Sequence, residues 1–190
     1  MLRRLFFLCA LVPLLTGAGG ASVASAAPAP AHIEQHLAQA RLAGSGSFTW
    51  FGLNIYSAEL WVGEQGYRAQ APQAAPFVLE LRYARKLDGV KIAEASFEQM
   101  EKIKAGTPAQ RAAWLLRMKE IFPDVNQGTR ISGVFLPTVG AQFYLDGKAL
   151  ASVSDPAFAR AFFGIWLDPA STAGALRARL LQDALPKTGQ

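Results

Sequence analysis

Arginine, threonine and tyrosine side chains on or near the first two predicted strands are the groups best suited to hold an oxygen-bearing ligand. Arg41, Thr49 and Tyr56 lie close together in the sequence, and Tyr83 lies in the next strand. A guanidinium binds carboxylate or phenolate oxygens through two parallel hydrogen bonds, and a hydroxyl can add a third. These four residues are therefore candidate ligand-binding residues at the mouth of an apolar cleft. For each of them the alternative is a core aromatic or a solvated edge residue.

Two histidines, His32 and His36, are four residues apart and could share one helix face. A zinc site needs further ligands, and the chain has no other histidine. The pair lies just after a predicted cleavage site, where order is least expected. We therefore interpret this segment as an exposed polar helix or linker and expect no metal site.

Most catalytic arrangements are excluded by residue type. The one cysteine, Cys9, lies in the N-terminal apolar run, so the mature chain has no thiol nucleophile, thiolate metal site or disulfide. With both histidines in the N-terminal segment, a Ser-His-Asp arrangement is not available in the folded body. No glycine-rich phosphate loop follows a strand, and the carboxylates show no acid/base pairing. We expect no cofactor.

The N-terminus has the three parts of a secretory signal peptide. Two arginines precede the apolar run Leu5–Leu15, and Ala24-Ser25-Ala26 forms an A-x-A cleavage pattern before Ala27. The apolar run is too short for a membrane-spanning helix, which needs about 20 residues. The sequence predicts a signal peptide over residues 1–26 and a periplasmic or secreted protein without a membrane span after its removal.

The charge and length of the remainder indicate one ordinary domain. Removing Arg3 and Arg4 lowers the formal net charge of +5 by two, and the remaining excess is scattered along the chain. This pattern argues against nucleic-acid binding. We predict a linker or N-terminal segment at 27–39 and a single domain at 40–185, which is long enough to bury a core.

Hydrophobic periodicity predicts strands and helices in separate runs. The predicted strands are Ser47–Val62, Phe77–Arg85, Thr129–Pro137, Ala141–Leu145 and Ala149–Val153. The predicted helices are Ile33–Leu42, Lys91–Lys104, Ala109–Phe122, Ala157–Ile165 and Ala170–Leu185. This order favours an α+β domain in which helices pack against a largely antiparallel sheet. The aromatic run Phe158–Leu167 could dock on a membrane or partner, but burial against the sheet is the more common fate.

Five blocks resemble, in order, the bacterial chalcone isomerase-like proteins. They are RLAGSGSFTWFGLNIYSAELWVG (Arg41–Gly63), LELRYARKLDG (Leu79–Gly89), IFPDVNQGTRI (Ile121–Ile131), FYLDGKAL (Phe143–Leu150) and DPAFARAFFGIWLDP (Asp155–Pro169). The first of these blocks resembles the first β-hairpin region of the family. The resemblance implies an open-faced β-sandwich with a large antiparallel sheet covered by helices. It covers essentially the whole mature chain.

What the resemblance implies about function depends on the site residues. Its superfamily includes plant enzymes that cyclise chalcones, non-catalytic fatty-acid-binding proteins and exported bacterial proteins of unclear role. The plant enzymes use an Arg before the first long strand and a Thr on that strand. Arg41 is the candidate for the Arg, and Thr49 lies near the position of the Thr. They also use a Tyr and an Asn on a helix, and Ser96–Phe122 contains neither. The sequence therefore favours a non-catalytic protein that binds a small amphiphile such as a fatty acid; the alternative is an isomerase or intramolecular lyase with an unknown substrate.

Overall fold

A single antiparallel sheet organises the domain. The computed structural model describes residues 28–186. Its six strands pair in chain order, each with the next. They are β1 (Arg41–Trp50), β2 (Leu53–Val62), β3 (Phe77–Tyr83), β4 (Arg130–Leu136), β5 (Gly140–Leu145) and β6 (Lys148–Val153). The expected α+β class with a large antiparallel sheet is confirmed.

The segment predicted as one strand over Ser47–Val62 instead contains the end of β1, a two-residue turn and all of β2. β1 begins at Arg41 and turns at Phe51 and Gly52 into β2. Both turn residues have positive φ, 47° and 76°. A two-residue turn of this kind matches the twist of the strands it joins, but its sequence signal is normally Asn-Gly or Asp-Gly. Phe51 in the first position concealed the turn.

Helices cover one face of the sheet. They are α2 (Gly89–Lys102), α3 (Pro108–Ile121), α4 (Pro156–Leu167) and α5 (Gly174–Leu180). The expected start at Thr107-Pro108 is confirmed: Thr107 Oγ1 accepts from Gln110 N in a capping box. The aromatic run is core, since Phe158, Phe162, Phe163 and Trp166 are buried. No helix within the described residues is long and apolar enough to span a membrane.

The opposite face of the sheet carries the N-terminal segment. The helix predicted over Ile33–Leu42 is present only as α1 (Ala31–Glu34), because the chain turns at Gln39 (φ 51°) and pairs as β1 from Arg41. Ile33 and Leu37 are buried against Trp61, Val78 and Val134, which alternate in the strands with the helix-facing residues. This small second core anchors the segment to the sheet.

A polar cluster lies beside that second core. His32 Nε2 is 2.9 Å from Ser132 Oγ, which donates to Glu80 Oε2 at 2.8 Å. His36 Nε2 lies 2.8 Å from the Tyr144 hydroxyl. The expectation of an exposed segment is therefore wrong for His32, whose side chain is only 9% exposed. No group of three or more His, Cys, Asp or Glu within residues 28–186 is arranged to hold a metal ion.

The predicted signal peptide, residues 1–26, lies outside the described residues. The same holds for Ala27, the expected first residue of the mature chain.

Candidate functional site

An apolar cleft of about 420 Å³ opens between the helix-covered face of the sheet and α2 and α4. Its floor comes from the strands, and its wall comes from Ile92 of α2 and Phe162, Ile165 and Trp166 of α4. The strands contribute large side chains at alternate positions, because residues two apart face the same side of a sheet. The apolar floor residues are Phe48, Leu81 and Ile131, and Ile55, next to Tyr56 in β2, also lines the cleft. A cleft of this size and lining is typical of sites for small apolar ligands.

Two tyrosines bring polar atoms into this apolar space. Tyr56 of β2 and Tyr83 of β3 are direct register partners in the sheet, and their ring centroids are 6.1 Å apart. The Tyr56 hydroxyl accepts a hydrogen bond from Trp166 Nε1 at 3.0 Å, and the Tyr56 ring stacks on Phe48 at 5.3 Å. The Tyr83 hydroxyl has no hydrogen-bond partner among residues 28–186. Both hydroxyls can therefore still donate to a ligand oxygen.

The electrostatics keep both phenols neutral. Burial raises the pKa of Tyr56 to about 12, against a smaller opposing effect of the hydrogen bond from Trp166. Burial, helped by the neighbouring Tyr56, raises the pKa of Tyr83 further. Neither group is a base at neutral pH, so their chemistry is that of hydrogen-bond donors.

The rim of the cleft carries charged and polar side chains, mostly from α2. Lys91 Nζ donates to Glu94 Oε2 at 2.9 Å and is thereby occupied. Lys102 is exposed and has no ion pair within the described part of the chain. Among the other polar groups, Ser96 Oγ donates to the Ile92 carbonyl at 2.8 Å and Thr172 is hydrogen-bonded to Gln99. Lys102 is therefore the rim cation best placed to meet an anionic ligand.

The structure places the four predicted site residues in two groups. Tyr56 and Tyr83 lie together in the cleft, whereas Arg41 and Thr49 are not among its lining residues. Arg41 begins β1, and its guanidinium donates to the carbonyls of Asp183 and Leu185 in the C-terminal segment. It lines a separate groove with that segment. Thr49 is exposed, between Phe48 and Trp50, which do line the cleft.

No tyrosine or asparagine stands on α2 or α3. The cleft-facing positions of α2 include Ile92, Ala95, Ser96 and Gln99. The wall of the cleft on this side is therefore mostly apolar, with an amide at its edge. The helical Tyr and Asn of the plant enzymes therefore have no counterpart on α2 or α3.

Sequence reasoning did not identify Trp166 and the rim lysines as site residues. Trp166 was interpreted as one core aromatic among several, although a buried indole N–H normally requires an acceptor. That requirement was the available signal, and Tyr56 satisfies it. The position of Lys102 at the rim depends on how α2 packs, which its sequence does not reveal.

The fold is similar to that of a fatty-acid binding protein of Arabidopsis thaliana, with a TM-score of 0.60 and 14% sequence identity. That likeness covers 77% of this chain and 88% of the plant chain. An uncharacterised protein of Haemophilus influenzae is 28% identical over 138 residues, which are 73% of this chain and 66% of that protein's length. The model of the chalcone isomerase-like family matches residues 22–182. The chain therefore belongs to the chalcone isomerase-like family.

Proposed function

We propose that this protein binds a small amphiphile such as a fatty acid in the apolar cleft and does not transform it. The observation that carries the proposal is the cleft of about 420 Å³, apolar in its walls, with neutral tyrosines inside and Lys102 at its rim. An acyl chain would contact Phe48, Leu81 and Ile131. Burying it would contribute about 0.8 kcal/mol per CH₂ group. The structural likeness to a fatty-acid binding protein supports this class of ligand.

The charges suggest how such a ligand would be oriented. An ionised carboxylate deep in the cleft would lie beside Tyr83, with hydrogen-bond donors but without a cation among the lining residues there. Burying an unpaired charge is costly, whereas a carboxylate at the rim keeps its hydration and approaches Lys102. We therefore propose that the head group lies at the rim and the chain inside. The Tyr83 hydroxyl would then favour ligands with an oxygen further along the chain.

The alternative is an isomerase or intramolecular lyase, and the site gives it less support. Proton transfer near neutral pH needs a group whose pKa lies close to that range. The pKa of Tyr56 is about 12 and that of Tyr83 is also raised, and α2 and α3 lack the Tyr and Asn of the plant enzymes. Turnover of a chalcone by the purified protein, abolished by Tyr83→Phe, would favour the isomerase.

We also propose that the protein is exported with cleavage between Ala26 and Ala27. The support is the order of charged, apolar and small-residue parts in the N-terminal sequence. The intact mass of the protein from its native host tests this. A chain that begins at Ala27 is expected, and a chain that retains residues 1–26 would contradict export with cleavage.

Native mass spectrometry of the protein purified from its own host tests the binding function. The expected result is an added mass that is released by organic solvent and identified as an amphiphile. A protein that is free of ligand and also fails to bind added fatty acids would overturn the proposal.

Blocking the cleft ties binding to this site. Ala95 is exposed on α2 and lines the cleft, so Ala95→Trp should fill the space without disturbing the core. We expect a loss of fatty-acid affinity of roughly tenfold or more, as the chain loses its contacts. Ala112→Trp, at an exposed position of α3, is the matched control. Equal affinity in the two variants would place the ligand elsewhere.

The rim position of the head group has its own test. Lys102→Gln should weaken binding of a fatty acid roughly two- to fivefold, the range of an exposed ion pair, and leave its methyl ester unaffected. Lys148→Gln, at an exposed lysine of β6, should change neither. An equal loss for acid and ester would contradict the proposed orientation.

A further inference from the structure

The tip of the first hairpin exposes three large apolar side chains to solvent. Trp50, Phe51 and Leu53 are 62%, 86% and 49% exposed. Together with Gly52 they form the turn between β1 and β2, which we name the aromatic tip. Scattered single apolar residues are ordinary on protein surfaces, but consecutive ones of this size usually mark an interaction site.

The backbone of the aromatic tip is unfavourable for the residue it carries. Phe51 has φ 47°, in the left-handed region that Asn, Asp and Gly adopt at lower cost than a bulky residue. Gly52 follows with φ 76°, and a Cβ added there would meet nothing within 4 Å, so this glycine serves the turn and not close packing. Within the described chain, Phe51 is in ring contact with Trp50 and otherwise faces solvent. The phenylalanine therefore does not improve the turn and gains little from burial.

The aromatic tip is continuous with the mouth of the cleft. Trp50 belongs both to the tip and to the lining of the cleft, whose rim also carries Lys91, Lys102 and Glu98. Val90, next to Lys91, is a further exposed apolar residue at 46%. The surface thus combines an apolar projection with two rim lysines, of which Lys91 is paired with Glu94 and Lys102 has no ion pair within residues 28–186. Apolar and aromatic residues flanked by lysines are suited to a lipid surface with anionic head groups.

We propose that the aromatic tip inserts into the surface of a lipid bilayer and holds the mouth of the cleft against it. Trp50 and Phe51 would lie at the boundary between head groups and acyl chains, a depth of roughly 5–10 Å for interfacial segments. Lys102 would face the head groups. This docking does not require a ligand in the cleft. Together with the proposed function, it would let an amphiphile pass between the bilayer and the cleft without crossing water.

The tryptophans make the insertion directly measurable. Of the four tryptophans, Trp61, Trp114 and Trp166 are buried and Trp50 is exposed. Vesicles of phosphatidylcholine and phosphatidylglycerol in a 3:1 ratio should therefore shift the emission of Trp50 to shorter wavelength. Brominated phosphatidylcholine in the same vesicles should quench it. Trp50→Phe should remove most of the shift and quenching while sedimentation with the vesicles persists.

Phe51→Asn tests the role of the tip without endangering the fold. Asparagine adopts positive φ readily and suits this turn, so the variant keeps or improves the hairpin. We expect its partition into the vesicles to fall roughly tenfold or more, because the buried phenyl group is lost. Leu116→Gln is the matched control, since Leu116 is 66% exposed on α3 and does not line the cleft. It should leave partition unchanged.

Three results would overturn the proposal. One is the absence of vesicle binding by the wild-type protein, and another is equal partition of wild type and Phe51→Asn. The third is a dimer in lipid-free solution that Phe51→Asn dissociates, because a second copy would then cover the tip. Affinity for a monomeric fatty acid in lipid-free solution should be unchanged in Phe51→Asn, so failure of docking and failure of ligand binding are distinguishable.

Discussion

His32 and Ser132 are separated by most of the domain in sequence, yet His32 Nε2 lies 2.9 Å from Ser132 Oγ. Ser132 is fully buried, and its hydroxyl also donates a hydrogen bond to Glu80, which is 5% exposed. The serine thus links the N-terminal segment to an acidic side chain on the sheet. Buried polar groups of this kind are stable only when their partners are in place.

Ser132→Ala should destabilise the domain. The substitution removes the hydroxyl that donates to Glu80 Oε2 and leaves a buried carboxylate oxygen with one partner fewer. The expected loss is about 1–3 kcal/mol in the free energy of unfolding. Urea denaturation measures it, with Ser47→Ala at an exposed position of β1 as control. Equal unfolding midpoints would show that the cluster contributes nothing.

His36 should make stability depend on pH between neutral and mildly acidic conditions. Burial, and secondarily the charge of His32, lower the pKa of His36 from its ordinary value of 6.5. The unfolded chain therefore binds this proton more readily than the folded chain. Stability should be greatest above pH 6.5 and fall as the pH drops below 6.5 toward the lowered value. Denaturation at pH 7.5 and pH 5.5 measures the change, and His36→Gln should reduce it; an equal pH dependence in that variant would contradict the assignment.

Tyr56→Phe and Tyr83→Phe should differ in their effects on stability and on ligand binding. Tyr56→Phe leaves the buried Trp166 Nε1 without its acceptor and should cost about 1–3 kcal/mol of stability. Tyr83→Phe breaks no hydrogen bond within residues 28–186 and should leave stability nearly unchanged. It should weaken a ligand whose oxygen accepts from the Tyr83 hydroxyl. Thermal unfolding and ligand titration of both variants check this contrast, which would fail if Tyr83→Phe were the more destabilising.

Arg41→Gln should loosen the C-terminal segment and leave ligand affinity unchanged. The guanidinium of Arg41 binds the carbonyls of Asp183 and Leu185 and does not line the cleft. Faster cleavage after 180 by a nonspecific protease is the expected result. A loss of fatty-acid affinity with an intact C-terminal segment would instead return Arg41 to the ligand site.

The sequence predicted most of the architecture because hydrophobic periodicity is a local property. The aromatic alternation of β2 and the Thr107-Pro108 start of α3 needed no knowledge of distant residues. Periodicity missed the first turn because Phe51 occupies a position where the usual signal is a small polar residue, although the family resemblance of Arg41–Gly63 implied a hairpin. The phenyl side chain of Phe51 is explained by the proposed contact with a lipid surface and not by the needs of the hairpin.

The site was harder to predict because its geometry is set by contacts between distant segments. Tyr56 and Tyr83 could be placed on neighbouring strands, but sequence spacing gave no reason to separate Arg41 from them. That separation follows from their places in the hairpin, since Arg41 begins β1 beside Val62 while Phe48 lies beside Tyr56. The histidines were assigned to a linker because their partners in the folded chain are far away in sequence: Ser132 and Glu80 for His32, and Tyr144 for His36.

The chain-ordered sheet has a consequence for folding. Every strand pairs with its neighbour in the chain, and within each half of the sheet the partners are close in sequence, which favours rapid pairing. The exception is β3 with β4, which are separated by α2 and α3 and must close a long loop. The cleft takes Tyr56 and Tyr83 from one half and Ile131 from the other. We therefore expect the cleft to form only when the two halves join. The rate at which ligand binding recovers during refolding should then equal the rate of this long-range step.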